Sequence, residues 1–225
     1  MADMVGQVVI GQKARGGSGS HVQWAMTSDG AGVVVPWLFA LSLEGLVFTT
    51  GFGAANLDDS DPGTFGPGAI AFDEHDLLIT LPATAGLQVI PVYWKPVFEA
   101  IGTIAAVDVL LAIGASGVIA AGLTTATLVN QHDGSSNTTA CTIGALGDTG
   151  GTAFVPTRYV FRDGGTHLTG VAGTGQTFMP EFNVTRVGTL HVVYGASKQV
   201  AGFTGSQAGT GYHQYTQVEL PAGSV

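Results

Sequence analysis

Short apolar or alternating runs recur along the chain, each fenced by Gly, Pro, Asn, Asp or Ser, and this is the signature of strands joined by turns. Val5–Ile10 opens the series and leads into a glycine-rich stretch at 11–20. Val33–Leu43 and Leu46–Thr50 follow, split by Glu44-Gly45. Asp76–Leu81 reads as a strand stopped by Pro82. Leu87–Trp94 contains Pro91, which has no N–H for a ladder and so marks an edge or a bulge. Thr103–Ile113 and Gly117–Leu123 form an apolar pair, interrupted by the single charge of Asp108. Thr125–Asn130 and Thr138–Ile143 flank a polar turn at 132–137 and are expected to pair antiparallel across it. Arg158–Phe161 and His167–Val171 flank Asp163-Gly164-Gly165 in the same way, as Phe178–Val187 and Thr189–Tyr194 flank Gly188. Tyr212–Leu220 alternates as a last strand. Only Val97–Ala106 could form a helix.

Some ten or eleven strands without convincing amphipathic helices predict an all-β fold, an antiparallel β-sandwich of jelly-roll type. One domain over 1–225 is expected, with a long loop at 51–69 and flexible glycine-rich segments at 11–20 and 202–211. No fixed repeat suggests a propeller or solenoid.

One segment competes with this reading. Ile104–Leu123 is 20 residues long with a single charge, Asp108, long enough to cross a bilayer as a helix. Its flanks lack an aromatic belt and a Lys/Arg bias, and Gly114, Ser116 and Gly117 interrupt its middle. Two buried strands joined at 114–117 fit better.

Composition narrows the function. Of 225 residues 35 are Gly, and only 10% are charged against a usual quarter or so. Low charge with 45% hydrophobic residues is the reverse of a disordered composition. The seven Lys and Arg are scattered against 16 Asp and Glu, for a net charge of −9, so no cluster offers phosphate contacts and direct nucleic-acid binding is not expected. The N-terminal residues show no signal-peptide pattern, which predicts synthesis in a cytoplasm and exit, if any, by lysis.

Candidate chemistry is sparse. Cys141 is the single cysteine, so there is no internal disulfide and no multi-cysteine metal site, and it is expected to be a small buried strand residue. His21, His75, His132, His167, His191 and His213 show no zinc spacing. Asp58, Asp59 and Asp61, with Asp73, Glu74 and Asp76 downstream, could offer oxygens to Ca²⁺ but fall short of an EF-hand and are expected to be solvated. There is no Walker A run, and Gly51-Phe52-Gly53 lacks the third glycine of a dinucleotide fingerprint. Trp24, Trp37 and Trp94 could form a carbohydrate platform only if the fold gathers them. Asn137-Thr-Thr and Asn183-Val-Thr match the glycosylation pattern but lack a secretory context. The expectation is therefore no catalytic, cofactor or metal site.

A low-charge, small-residue surface suits contacts that will be covered, because charged side chains are depleted at the core of extensive interfaces. The expected role is a self-assembling structural subunit whose partners are copies of itself. The run Leu78–Tyr93 (LITLPATAGLQVIPVY) resembles a "-x-PAGTxVIPL-" run found in structural proteins of environmental bacteriophages, and Phe98–Ile113 and Thr138–Ile143 are similar in style. The run departs from that pattern at Thr84-Ala85 before Gly86. The resemblance covers about residues 76–145 and implies a jelly-roll capsid subunit, located in virions, with other virion proteins as further partners and any genome contact made through another protein or an internal membrane; apart from the resemblance, membrane contact by this chain is not expected. Many jelly-roll coat proteins of RNA viruses carry a basic N-terminal arm, where this chain has only Lys13 and Arg15. A tail, spike or decoration protein, a carbohydrate-binding sandwich and an enzyme using unlocated carboxylates are the other readings.

Overall fold

A computed structural model describes residues 37–59, 70, 72–73, 75–84, 86–100, 106–118, 122–124, 126–147, 151–166, 179–205 and 209–221. Among them, antiparallel pairing builds two sheets. The first uses β1 (Val47–Asp59), β3 (Gln88–Ala100), β6 (Val129–Asn130), β9 (Phe182–Asn183), β10 (Val193–Tyr194) and β12 (Gly209–Leu220). Its order is β10-β3-β12-β1-β6, with β9 also on β3. The second uses β2 (Leu77–Thr80), β4 (Ala106–Ala115), β5 (Gly122–Thr124), β7 (Thr142–Gly147), β8 (Val155–Thr166) and β11 (Gln199–Gly205), in the order β5-β7-β2-β11-β4-β8. Two short helices, α1 (Trp37–Leu43) and α2 (Val184–Val187), complete the elements.

The sheets pack face to face as an all-β sandwich. Phe48, Phe52, Trp94 and Tyr215 of the first sheet share a core with Leu77, Ile79, Leu111 and Val200 of the second. Burying each such side chain is worth about 1.5–3 kcal/mol, which makes this layer the main source of stability. Trp94 packs directly against Gly202 of β11. A Cβ on Gly202 would lie 3.1 Å from two indole carbons, so a glycine is what lets the ring lie on that strand.

A second apolar layer lies on the outer face of the second sheet. Leu78, Leu110, Ala112, Ala201 and Phe203 point away from the main core and are covered by Ile70, Phe72 and Phe154. The chain between β4 and β8 makes an excursion over residues 116–154. It adds β6 beside β1, and β7 beside β2 with β5 outside β7, so it extends one side of both sheets.

Several expectations change. Residues 51–59 are not loop: they continue β1, because Gly51–Ala54 pair in register with Gly211–Gln214. Likewise 202–205 and 209–211 belong to β11 and β12, and at Gly202 the glycine serves close approach. Trp37–Leu43 is a helix turn, not a strand; WLFALSL is apolar at nearly every position and has no period to choose by. Val97–Ala100 is strand, not helix. β6 pairs with β1, and β7 with β2 and β5, so the two do not form the expected hairpin. β8 runs through Asp163-Gly164-Gly165 without turning, held by its ladder to β4.

Pro91 does sit at a bulge. Thr216 faces Tyr93 and Gln217 faces Pro91, leaving Val92 as the extra residue. Residues 106–115 are a strand, Ser116 turns the chain with φ 70°, and no helix among the described residues is long and apolar enough to cross a membrane. The expected segments at 5–20 and 167–171 lie outside the described residues.

Candidate functional site

The reactive side chains are drawn into the two apolar layers. His213 on β12 lies between Phe52 and Trp94, nearly parallel to both, with ring centroids 5.0 and 6.3 Å away. It is buried, its Nδ1 has no hydrogen-bond partner, and desolvation lowers its pKa to about 3. His75 is fully buried beside Phe154 and Phe203, with neither ring nitrogen partnered. Its pKa falls to about 4, because burial outweighs the attraction of Asp73. Both imidazoles are neutral near pH 7 and out of reach of a solute.

Cys141 is buried just before β7, as expected of a small apolar residue. Burial and then the Glu219 carboxylate push its thiol up to about 12, against a lowering contact from Gln217, so it is held as an inert thiol. Burial also raises Tyr215 well above the usual phenol range, helped by Cys141 and Glu219. Glu219 is a tie: its carboxylate accepts from the Thr139 hydroxyl, from the Ala140 N–H at 3.0 Å and from the Gln217 amide at 2.7 Å. It pins the loop before β7 to β12.

The acidic segment around His75 is not a solvated patch. Asp76 is buried and accepts the backbone N–H of Thr204, and Asp73 is half-buried. Among the described residues no group of three His, Cys, Asp or Glu side chains could hold a metal ion. Glu74, Asp61 and the histidines at 21 and 167 lie outside the described residues. Trp94 is core and Trp37 is exposed, so these two do not share a platform, and Trp24 lies outside the described residues. Asn137 spends its amide on the carbonyls of Glu44 and Gly45, and Asn183 caps α2 through the Thr185 N–H.

A shallow pocket of about 90 Å³ opens on the second sheet's outer side, lined by Ile70, Phe72, Leu110, Tyr159 and Arg162. Its guanidinium is already engaged with Asp108 at 2.7 Å.

What remains accessible is a face. Because Trp94 and Tyr215 point at the second sheet, the residues one step away on β1, β3 and β12 point outward. These include Thr49, Tyr93, Tyr212, Gln214 and Thr216, and the Thr49 and Thr216 hydroxyls meet at 2.9 Å. Lys95 is the single charged side chain among the outward positions of these three strands whose side chains are described. Val129 on β6 and Tyr194 on β10 continue the face at its two ends, each more than half exposed. Exposed Trp37, Phe39 and Leu43 on α1 add apolar surface just before β1. Low charge was visible in the composition; its concentration on one face needed the register. No protein-family model matches the chain, no curated protein matches it, and no solved structure matches it.

Proposed function

We propose that this chain is a structural subunit that assembles with copies of itself, as the capsid protein of a virus particle of bacteriophage type, wound as a jelly roll. The strand order supports the winding. Numbered along the chain, the eight principal strands are β1, β2, β3, β4, β8, the β9/β10 pair, β11 and β12. One sheet then takes the first, eighth, third and sixth, and the other the second, seventh, fourth and fifth. That order is the one a jelly-roll winding calls for, a winding used by capsid and lectin domains and by cupins.

The observation that carries the assembly reading is the outward face of β1, β3 and β12, where Lys95 is the one charge among the positions whose side chains are described. A chain of net charge −9 repels its copies wherever acids face each other, and least across a face without them. A face of Thr, Gln, Tyr and Val can be dehydrated without stranding ions, as interface cores require. The buried, neutral state of His75, His213 and Cys141 favours a role in contacts over one in catalysis.

Light scattering coupled to size exclusion, followed by negative-stain microscopy, tests the proposal. Discrete oligomers or closed shells are expected. A monomer at every concentration and salt would refute it.

A further inference from the structure

We infer that residues 116–118 and 152–154 form an acid-sensitive latch over His75, whose protonation opens the base of the 116–154 excursion and uncovers the apolar outer face of the second sheet. This inference is independent of the assembly reading. The face beneath is strongly apolar, with Leu78, Leu110, Ala112, Ala201 and Phe203 on it, and Phe154 is part of its cover. The two ends of the excursion are joined over it by a single bridge. Val118 N–H donates to the Thr152 carbonyl at 3.1 Å, and Thr152 N–H returns at 2.9 Å. Phe154 N–H donates to the Phe72 carbonyl, and the Gln199 side-chain amide clamps Gly117 at both its N–H and its carbonyl, each at 2.8 Å.

His75 is the floor of this latch. A Cβ on Gly117 would lie 2.7 Å from Nε2, so the strap passes directly against the imidazole. Phe154 stands edge-on to the ring at 6.2 Å and Phe203 lies at 5.4 Å. A protonated imidazole carries two N–H donors and needs acceptors for both. The strap presents Gly117, the returning segment Phe154, and β11 Phe203 and Gln199, none of them charged. Gln199 donates to Gly117 and Thr80 and accepts from Gly117.

Among the described residues the charged groups nearby are on the histidine's own segment: Asp73, which draws the proton, and Asp76, which accepts the Thr204 amide. Water becomes the available acceptor once the strap lifts. The strap leaves β4 through Ser116 in the left-handed region, φ 70°. With His75 at about 4 when closed and near 6.5 when wetted, the opening equilibrium shifts about 60-fold between pH 7 and about pH 4.5.

Hydrogen exchange by mass spectrometry on the full chain tests this, corrected for the intrinsic effect of pH. Protection at 116–118 and 152–154 is expected to fall by about 60-fold on acidification, and His75→Gln to abolish this pH-dependent loss. Gly117→Ala is a second variant that wedges the strap against Nε2. It should lack protection at 152–154 already at pH 7, with little further change in acid. Unchanged protection at 152–154 in the native chain at pH 4.5, an equal acid loss in His75→Gln, or full protection in Gly117→Ala at pH 7 would each overturn the latch.

Discussion

Acid should weaken this fold through His213 in a way that one substitution can isolate. The imidazole sits in the stack between Phe52 and Trp94, and its pKa in the folded chain is about 3 against 6.5 in the unfolded one. Below pH 6.5 the unfolded chain takes up a proton there that the folded chain refuses. Stability is therefore complete above pH 6.5 and is lost as pH falls towards 3. Each pH unit in that window removes about 1.4 kcal/mol, hence about 3 kcal/mol by pH 4.5 and about 4 by pH 3, where the folded chain begins to take up the proton too. That is a large share of the 5–15 kcal/mol that holds a typical domain folded.

Urea unfolding of the native chain and of His213→Phe, at several pH values from 7.5 to 4.5, gives the comparison. Phenylalanine keeps a flat ring between Phe52 and Trp94 and cannot titrate. All other titrations, His75 included, are common to both proteins and cancel in the difference. The difference in unfolding free energy should change by about 3 kcal/mol across the range, in favour of the variant as pH falls. Parallel curves would show that His213 exchanges protons equally in both states, and the reasoning from burial would fail.

Three further outcomes follow from the packing. Gly202→Ala should destabilise by about 1–3 kcal/mol in denaturant melts, because the new methyl would meet Trp94 at 3.1 Å; an unchanged midpoint would mean the sheets can part freely there. Glu219→Ala should cost about 3 kcal/mol and expose 131–140 to limited proteolysis, since the Thr139, Ala140 and Gln217 donors lose their acceptor. Cys141 should react with a thiol reagent at pH 8 only at the rate of unfolding, and rapid modification of the folded chain would contradict its burial and raised pKa.

How far the sequence foretold all this depends on where side chains carry a pattern. β2, β4 and β12 combine apolar runs with clear stops such as Pro82, and these were legible. Pro91 pointed to an edge or a bulge, because a missing N–H has to be absorbed somewhere, and the register shift at Pro91–Tyr93 is the bulge. Glycine-rich 51–59 and 202–211 misled, since a residue without a side chain contributes nothing to a two-residue period. Only Trp94 lying over Gly202 shows why one of those glycines belongs in a strand. The pairing of β6 with β1 rather than with β7 is a long-range choice, settled in part by Asn130 and Asn137 binding the Gly45 carbonyl. The histidines were the hardest to foresee. His75, inside Asp73-Glu74-His75-Asp76, has the local chemistry of a wet loop, and only the crossing of Gly117 and Phe154 above it makes it core. The uncharged face was half visible, as a shortage of charge without a location.

The central claim is that the outward face of β1, β3 and β12 meets the same chain. Sedimentation velocity on the native protein and on a Thr49→Glu, Thr216→Glu double variant addresses it directly. The native chain should sediment as discrete assemblies that grow with concentration, and the variant, with two carboxylates planted at the centre of the face, as a folded monomer. Assemblies of the same size and strength in both proteins would contradict the claim, as would a native chain that sediments as a monomer throughout.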